Sequence, residues 1–235
     1  MLSQLFRLSA AALSLALAAP LALSQQPIND PPAPDSPAIE QRVDAMISKL
    51  TLQQKLELIG GEDSMFIRAE PAAGFPRLKM SDGPFGVRTW GPDTAYAAGI
   101  ALAASWDPDL VHQMGVSIAD DARARGVNFL LAPAVNIYRA PMAGRSFEYF
   151  GEDPYLAGHT AIPYIEGVQS QGVVATVKHF ALNNQEYDRH NVSSDVDERT
   201  LREIYMPAFE DAVKIAHVGA VMNSYNLVNG VHASE

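Results

Sequence analysis

The 235-residue chain contains no cysteine. A disulfide framework, a thiolate metal site and a Cys nucleophile are therefore all excluded. Basic residues are scarce too: 17 Lys and Arg against 27 Asp and Glu give a formal net charge of −10. A nucleic-acid backbone needs clustered cations, so this balance argues against a nucleic-acid partner, and none is expected. The six His residues show no H-E-x-x-H or similar spacing, so no zinc site is expected. No G-x-x-x-x-G-K-[ST] phosphate loop occurs either. What is present is a globular composition, 48% hydrophobic and 19% charged, in a chain long enough to bury a sizeable core.

Only one long apolar run exists, Leu8 to Leu23 (LSAAALSLALAAPLAL). Arg7 precedes it, Pro20 interrupts it, and Ala22-Leu23-Ser24 ends it with small residues in an A-x-S cleavage pattern. It is short for a bilayer span, so residues 1–24 are read as a cleaved signal peptide and not an anchor. The mature protein is expected to be secreted or periplasmic, with no membrane association after cleavage. Residues 25–36 (QQPINDPPAPDS) form a Pro-rich linker. Residues 37–235 are read as one domain.

Within that domain Ser36-Pro37 opens a helix with Ile39, Val43, Met46, Ile47 and Leu50 at helical spacing. Thr51-Leu-Gln-Gln54 is a capping box for a second helix, which Gly60-Gly61 stops. From Leu78 strands and helices alternate. Runs spanning 128–135 and 173–180 read as buried strands, a short apolar stretch ending at Asp82 precedes them, and 218–222 reads as another strand. Helices begin at Asp107-Pro108, Asp153-Pro154 and Asp197, the last kinked at Pro207. This βαβ order predicts a parallel sheet covered by helices. A doubly wound sheet should carry G-x-G-x-x-G after its first strand, and Asp82-Gly-Pro-Phe-Gly-Val-Arg88 lacks that spacing. The fold class is therefore α/β, a partial (β/α)8 TIM-type barrel incomplete at the C-terminus. Only about half of the βα units fit in this length, since a barrel needs roughly 250 residues.

In such a barrel the ligand site lies at the C-terminal strand ends. Asp82 and Arg88 follow the first strand. Asn136, Arg139, Arg145 and Glu148 follow the second. Lys178, His179, Asn183, Asn184 and Glu186 end the third, and Asn223, Ser224 and Tyr225 the fourth. Each strand end thus delivers polar groups to one rim, which points to a polar ligand. A sugar, whose hydroxyls both donate and accept, suits a carboxylate flanked by cationic donors.

At these residues the sequence resembles glycoside hydrolase family 3, in its β-glucosidase branch. The resemblance runs from about Leu50 onward, through MSDGPFGVR (80–88), ALAASWDPDL (101–110), LAPAVNIYRAPMAGRSFEYFGEDPYLAG (131–158), VATVKHFALNNQE (174–186), ERTLREIYMPAF (198–209) and GAVMNSYNLVNG (219–230). It implies that Asp82 binds two hydroxyls of the sugar in the −1 subsite. Arg88, Arg145, Lys178 and His179 join it, and Met222 and Tyr225 line the site. It further implies a β-glucoside or oligosaccharide substrate, a retaining double displacement, and no cofactor or catalytic metal. Lys178 and His179 are neighbours and would face opposite sides of a regular strand. An irregular peptide is expected there, and the resemblance implies a cis bond.

The nucleophile implied by the resemblance is an Asp in an SDW-type motif one strand after MNSY; residues 1–235 contain no such motif. Ala181-Leu-Asn-Asn-Gln-Glu186 also lacks the catalytic His loop of the N-acetylglucosaminidase branch, so the acid/base is implied to come from a following domain. This stretch alone is expected to be inactive. The alternatives are a β-xylosidase of the same family and a non-catalytic secreted sugar-binding protein. Other residues carry plainer readings. Arg139, Glu148, Glu186 and Arg189 are read as ion pairs bracing loops. Asp153 is a helix cap, and His190 and His232 are surface residues. Trp90 and Trp106 are core candidates assigned to no subsite. Asn191-Val-Ser193 is a glycosylation sequon, relevant only in a eukaryotic secretory pathway.

Overall fold

The computed structural model describes residues 36–235. The expected signal peptide and, apart from Ser36, the linker lie outside the described residues. Two helices come first, α1 (Pro37–Ile47) and α2 (Leu52–Ile59). Thr51 caps α2: its hydroxyl accepts from the Gln54 N–H, and the Gln54 side chain accepts from the Thr51 N–H. Neither helix buries a residue fully. Of the expected inward stripe, Ile39, Met46 and Leu50 are half-buried, while Val43 and Ile47 are exposed.

The chain then forms β1 (Phe66–Ile67), β2 (Leu78–Asp82), α3 (Gly99–Ala103), α4 (Pro108–Ala124), β3 (Phe129–Leu131), α5 (Pro154–Ser170) and β4 (Val174–Phe180). β5 (Ser193–Ser194), α6 (Glu198–Thr200), α7 (Pro207–Lys214), β6 (Ala220–Asn223), β7 (Leu227–Val228) and β8 (Val231–His232) complete it. β2, β3, β4 and β6 are parallel and lie side by side in chain order, with β1 antiparallel at the outer edge of β2. A doubly wound sheet reverses its strand order at a switch point. No reversal occurs here, so the described residues form an α/β half-barrel with helices on its outside.

Local signals account for the helix starts. Asp107, Asp153 and Asp197 each accept a backbone N–H three residues on, from Leu110, Leu156 and Thr200. α4 and α5 cross at two glycines. A Cβ on Gly115 would stand 2.6 Å from the Tyr164 carbonyl oxygen, and one on Gly167 would collide with the His112 carbonyl. Glycine is therefore required at both positions for the helices to meet backbone to backbone. Ile118, Ile165, Val168, Leu130, Ala175 and Val177 fill the layer between helices and sheet and are fully buried. Each large side chain there contributes about 1.5–3 kcal/mol by its burial.

The structure corrects three expectations. The strand expected over 128–135 ends at Leu131, because Pro133 has no N–H to extend the ladder. The segment still follows β4: Thr176 and Lys178 donate to the carbonyls of Ala132 and Pro133 at 2.9 and 3.0 Å, and Val135 donates back to Lys178 at 2.8 Å. The helix expected after Asp197 is broken into α6, a π-type turn over Leu201–Tyr205, and α7, which starts at Pro207. Trp90 and Trp106 are not core: Trp90 is fully exposed and Trp106 is 74% exposed. A small sheet, β5 parallel to β7 with β8 antiparallel, was not anticipated. Among the described residues no helix is long and apolar enough to cross a membrane.

Candidate active site

β2 ends at Asp82, and the turn beyond it is braced from behind. The hydroxyl of Tyr164, fully buried on α5, stands 3.3 Å from the carbonyl oxygens of both Gly83 and Pro84. The Arg88 N–H returns to the Asp82 carbonyl at 2.8 Å. Arg125, at the end of α4, clasps the next loop. Its guanidinium donates to Thr89 Oγ1 at 3.0 Å and to the Pro92 carbonyl, and pairs with Asp93 at 3.3 Å.

β4 supplies Lys178, whose side chain is only 2% exposed. Its Nζ lies 3.4 Å from Asp82 Oδ1 and 3.5 Å from Glu148 Oε2. The other oxygen of Glu148 accepts from Arg145 Nε, and Arg145 Nη1 lies 3.7 Å from Glu186 Oε1. Glu186 in turn pairs with Arg189 at 2.9 Å. Three carboxylates and three cations thus alternate along one line, so their charges cancel. A buried ion of either sign is tolerated only when paired in this way. Burial by itself lowers the Arg145 pKa; the charge and hydrogen bond of Glu148, with smaller effects of Tyr149 and Glu186, outweigh it and raise the value above the ordinary one.

Asp82, Arg88, Arg145, Glu148 and Lys178 line one hollow of about 450 Å³. Phe85 and Phe147 also line it, edge to face with centroids 5.9 Å apart. Lys178 has three N–H groups and commits two directions to carboxylates, leaving one. Asp82 Oδ2 has no partner among the described residues, and its side chain is 34% exposed. Hydrogen-bond donors and an anionic acceptor therefore stand side by side at the hollow, the combination that vicinal hydroxyls require.

The remaining expected site residues do not line this hollow. The peptide between Lys178 and His179 is cis, as anticipated, and that between Phe180 and Ala181 is cis as well. His179 is buried and drawn to Asn136. The Asn136 Oδ1 accepts from the His179 N–H at 2.8 Å and from its Nδ1 at 3.3 Å, and Asn136 Nδ2 donates to the His179 carbonyl. An amide oxygen only accepts, so Nδ1 carries the proton and Nε2 is the acceptor nitrogen. Burial, and then the charges of Arg145, Lys178 and Arg189, lower the His179 pKa to about 2, so the ring is neutral. Met222 pairs in register with Lys178 on β6 and is half-buried. Tyr225 lines a second hollow, of about 520 Å³, with His190, Asn223, Ser224 and His232. There the Arg189 guanidinium stands 4.7 Å from the Tyr225 ring centroid, and the His190 ring packs beside it.

Glu148 was read as a loop brace, and it does brace: it is 2% exposed and joins two of the expected site cations. Its spacing of three from Arg145 in a short helical turn was the available signal. Glu186 and Arg189 fit the same plain reading, whereas Arg139 stands 5.9 Å from the Tyr205 ring centroid. Tyr164, Arg125 and the Phe85–Phe147 pair carried no sequence signal. Among the described residues no group of three or more His, Asp or Glu could hold a metal ion.

A parallel half-barrel with a charged hollow at its strand ends suits a polar, hydroxyl-bearing ligand, and comparison with known proteins identifies the family. The family model for the glycosyl hydrolase family 3 N-terminal domain matches residues 63–235. The chain belongs to glycosyl hydrolase family 3. A β-glucosidase of Rhizobium radiobacter is 47% identical over 199 residues, covering 82% of this chain and 24% of that protein. The crystal structure of a family 3 β-glucosidase from Bifidobacterium adolescentis superposes with a TM-score of 0.78 at 46% identity, over 80% of this chain and 28% of that one. β-Glucosidase 3B of Thermotoga neapolitana, solved in complex with glucose, gives a TM-score of 0.77 at 38% identity, over 82% of this chain and 30% of that one. The chain thus spans about a quarter of the length of these relatives.

Proposed function

We propose that the protein encoded by the complete gene hydrolyses terminal β-D-glucosyl residues by a retaining double displacement, and that residues 36–235 supply most of its −1 sugar subsite. The observation that carries this reading is the meeting of Asp82, Arg145 and Lys178 in one hollow, with Lys178 Nζ 3.4 Å from the Asp82 carboxylate. Asp82 accepts from two sugar hydroxyls, and Lys178, Arg145 and Arg88 donate to their oxygens. His179, Met222 and Tyr225 stand outside this hollow, and their expected part in sugar binding rests on the family resemblance alone. The glucosidase names of the relatives support glucose as the sugar. The nucleophilic Asp and the acid/base lie outside the 235 residues, so these residues bind and orient sugar without cleaving it. The apolar run Leu8–Leu23 supports export, to the periplasm or beyond the cell, where such glycosides are met.

The test is a paired assay of the complete gene product on an aryl β-glucoside and an aryl β-xyloside. Glucose and xylose differ by one hydroxymethyl, so kcat/KM is expected to favour the glucoside by about 10–100-fold. The 235-residue chain alone is expected to show no turnover. A reversed preference would make the protein a xylosidase. Sugar binding without hydrolysis by the complete product would make it a binding protein and defeat the reading.

A further inference from the structure

Both oxygens of Glu148 are occupied, one by Arg145 Nε and the other by Lys178 Nζ, and its side chain is 2% exposed. The carboxylate thus touches two cations of the hollow at once, one from the loop beyond β3 and one from β4 itself. Lys178 is shared with Asp82 on its other side. The same arrangement fixes Arg145: Nε faces Glu148 and Nη1 faces Glu186, so the guanidinium plane is set by two anions and its other N–H groups remain for the hollow. We propose that Glu148 is a positioning residue for sugar binding, the shared counter-ion that aims Lys178 and Arg145 at the same set of hydroxyls. This inference rests on the sugar-binding reading above.

The physical argument is one of competition. Without the Glu148 charge, Lys178 has a single anionic neighbour, Asp82. The ammonium then closes on Asp82 and occupies oxygens that would otherwise accept from sugar hydroxyls. Arg145 loses its strongest restraint and follows Glu186, towards the loop beyond β4. With Glu148 ionised, Lys178 is pulled from both sides and Asp82 keeps an open oxygen. Glu148 itself needs no contact with the sugar. A purely structural role would look different: losing the carboxylate would lower the melting temperature and leave the folded protein's affinity for sugar unchanged.

The experiment compares wild type, Glu148→Gln and Glu148→Asp in the complete gene product. It measures the dissociation constant for D-glucose by calorimetry, kcat and KM on an aryl β-glucoside, and the melting temperature. Glu148→Gln keeps the shape and removes the charge. It is expected to weaken glucose at least about tenfold, the scale of one lost charge-assisted contact. Glu148→Asp restores the charge and is expected to recover part of that affinity. Glucose binding by a folded Glu148→Gln protein within twofold of wild type would overturn the proposal. Equal weakening in the Asp and Gln variants would overturn it as well, because charge would then not matter. If Glu148→Gln does not fold, Glu148→Asp decides alone. Its carboxylate is drawn back from both cations by one methylene, so a several-fold weaker glucose affinity is expected, and wild-type affinity would overturn the proposal. A wild-type protein that binds no glucose would instead overturn the function, and this inference with it.

Discussion

The two hollows at the strand ends are built on opposite plans. The one around Asp82, Glu148 and Lys178 places two buried charges, Glu148 and Lys178, in contact with each other and with the half-buried Asp82, and supports them from behind with α5 and the clasp of Arg125. The one around Tyr225 is open: Tyr225 is 56% exposed and is held by a guanidinium over its ring and a neighbouring imidazole. Contacts of the first kind are stiff, because moving one ion strands another. Contacts of the second kind are weak and adaptable, worth about 0.5–1 kcal/mol at exposed positions. The β2–β4 side of the rim is therefore expected to be the stiffer and the β6 side the more adaptable.

The sharpest way to break this comparison is Lys178→Met in the complete gene product. Two carboxylates lose their shared partner, and stability is expected to fall by about 3–5 kcal/mol in urea unfolding. A loss under 1 kcal/mol would mean that the first hollow is no stiffer than the second. A smaller effect is expected from pH. His179 is held neutral in the folded state, with its pKa near 2. The unfolded chain binds a proton at this residue below about pH 6.5 and the folded chain does not, so stability rises with pH up to about 6.5 and is flat above. Between pH 6.5 and 5 this one residue is expected to account for about 2 kcal/mol. Urea midpoints at the two pH values, compared between wild type and His179→Asn, read that contribution as a difference. An identical slope in the two proteins would show that the ring is not kept neutral. The smallest effect is expected from Arg189→Met, which removes the cation over Tyr225 together with the part-exposed pair at the outer end of the ion chain, Arg189 with Glu186. It should change stability by no more than about 1 kcal/mol, and a change like that of Lys178→Met would erase the distinction between the two hollows.

How much of this could be read from the chain alone depends on the range of each cause. Asp107, Asp153, Asp197 and the Thr51–Gln54 pair act on the backbone three residues away, and the helix starts they announce are where the structure has them. The apolar run that became β4 is likewise a local statement about burial, whereas β2 buries only Ser81 and β6 buries none of its residues. Asp82, Arg145 and Lys178 were legible as a group because strand ends in a parallel barrel share one rim. The small sheet of β5, β7 and β8 was not, since two-residue strands carry no period and β5 meets β7 across more than thirty residues, Ser193 opposite Leu227. The placement of His179 was hidden for a related reason. Whether an imidazole faces a ligand or an amide is settled by Asn136, 43 residues earlier, which satisfies its backbone and its ring together. The two Trp residues were misread as core because hydrophobicity alone does not distinguish a buried indole from one on an exposed loop.

Arg125 carries a practical corollary for anyone wishing to alter this protein by exchanging segments. The stretch 88–95 that walls one flank of the hollow looks like a portable surface turn. Its shape, however, is imposed by a guanidinium that enters the chain some thirty residues later, at the far end of α4. A transplanted turn would keep its geometry only if that arginine travelled with it, so the smallest interchangeable unit on this side runs from the turn through the end of α4.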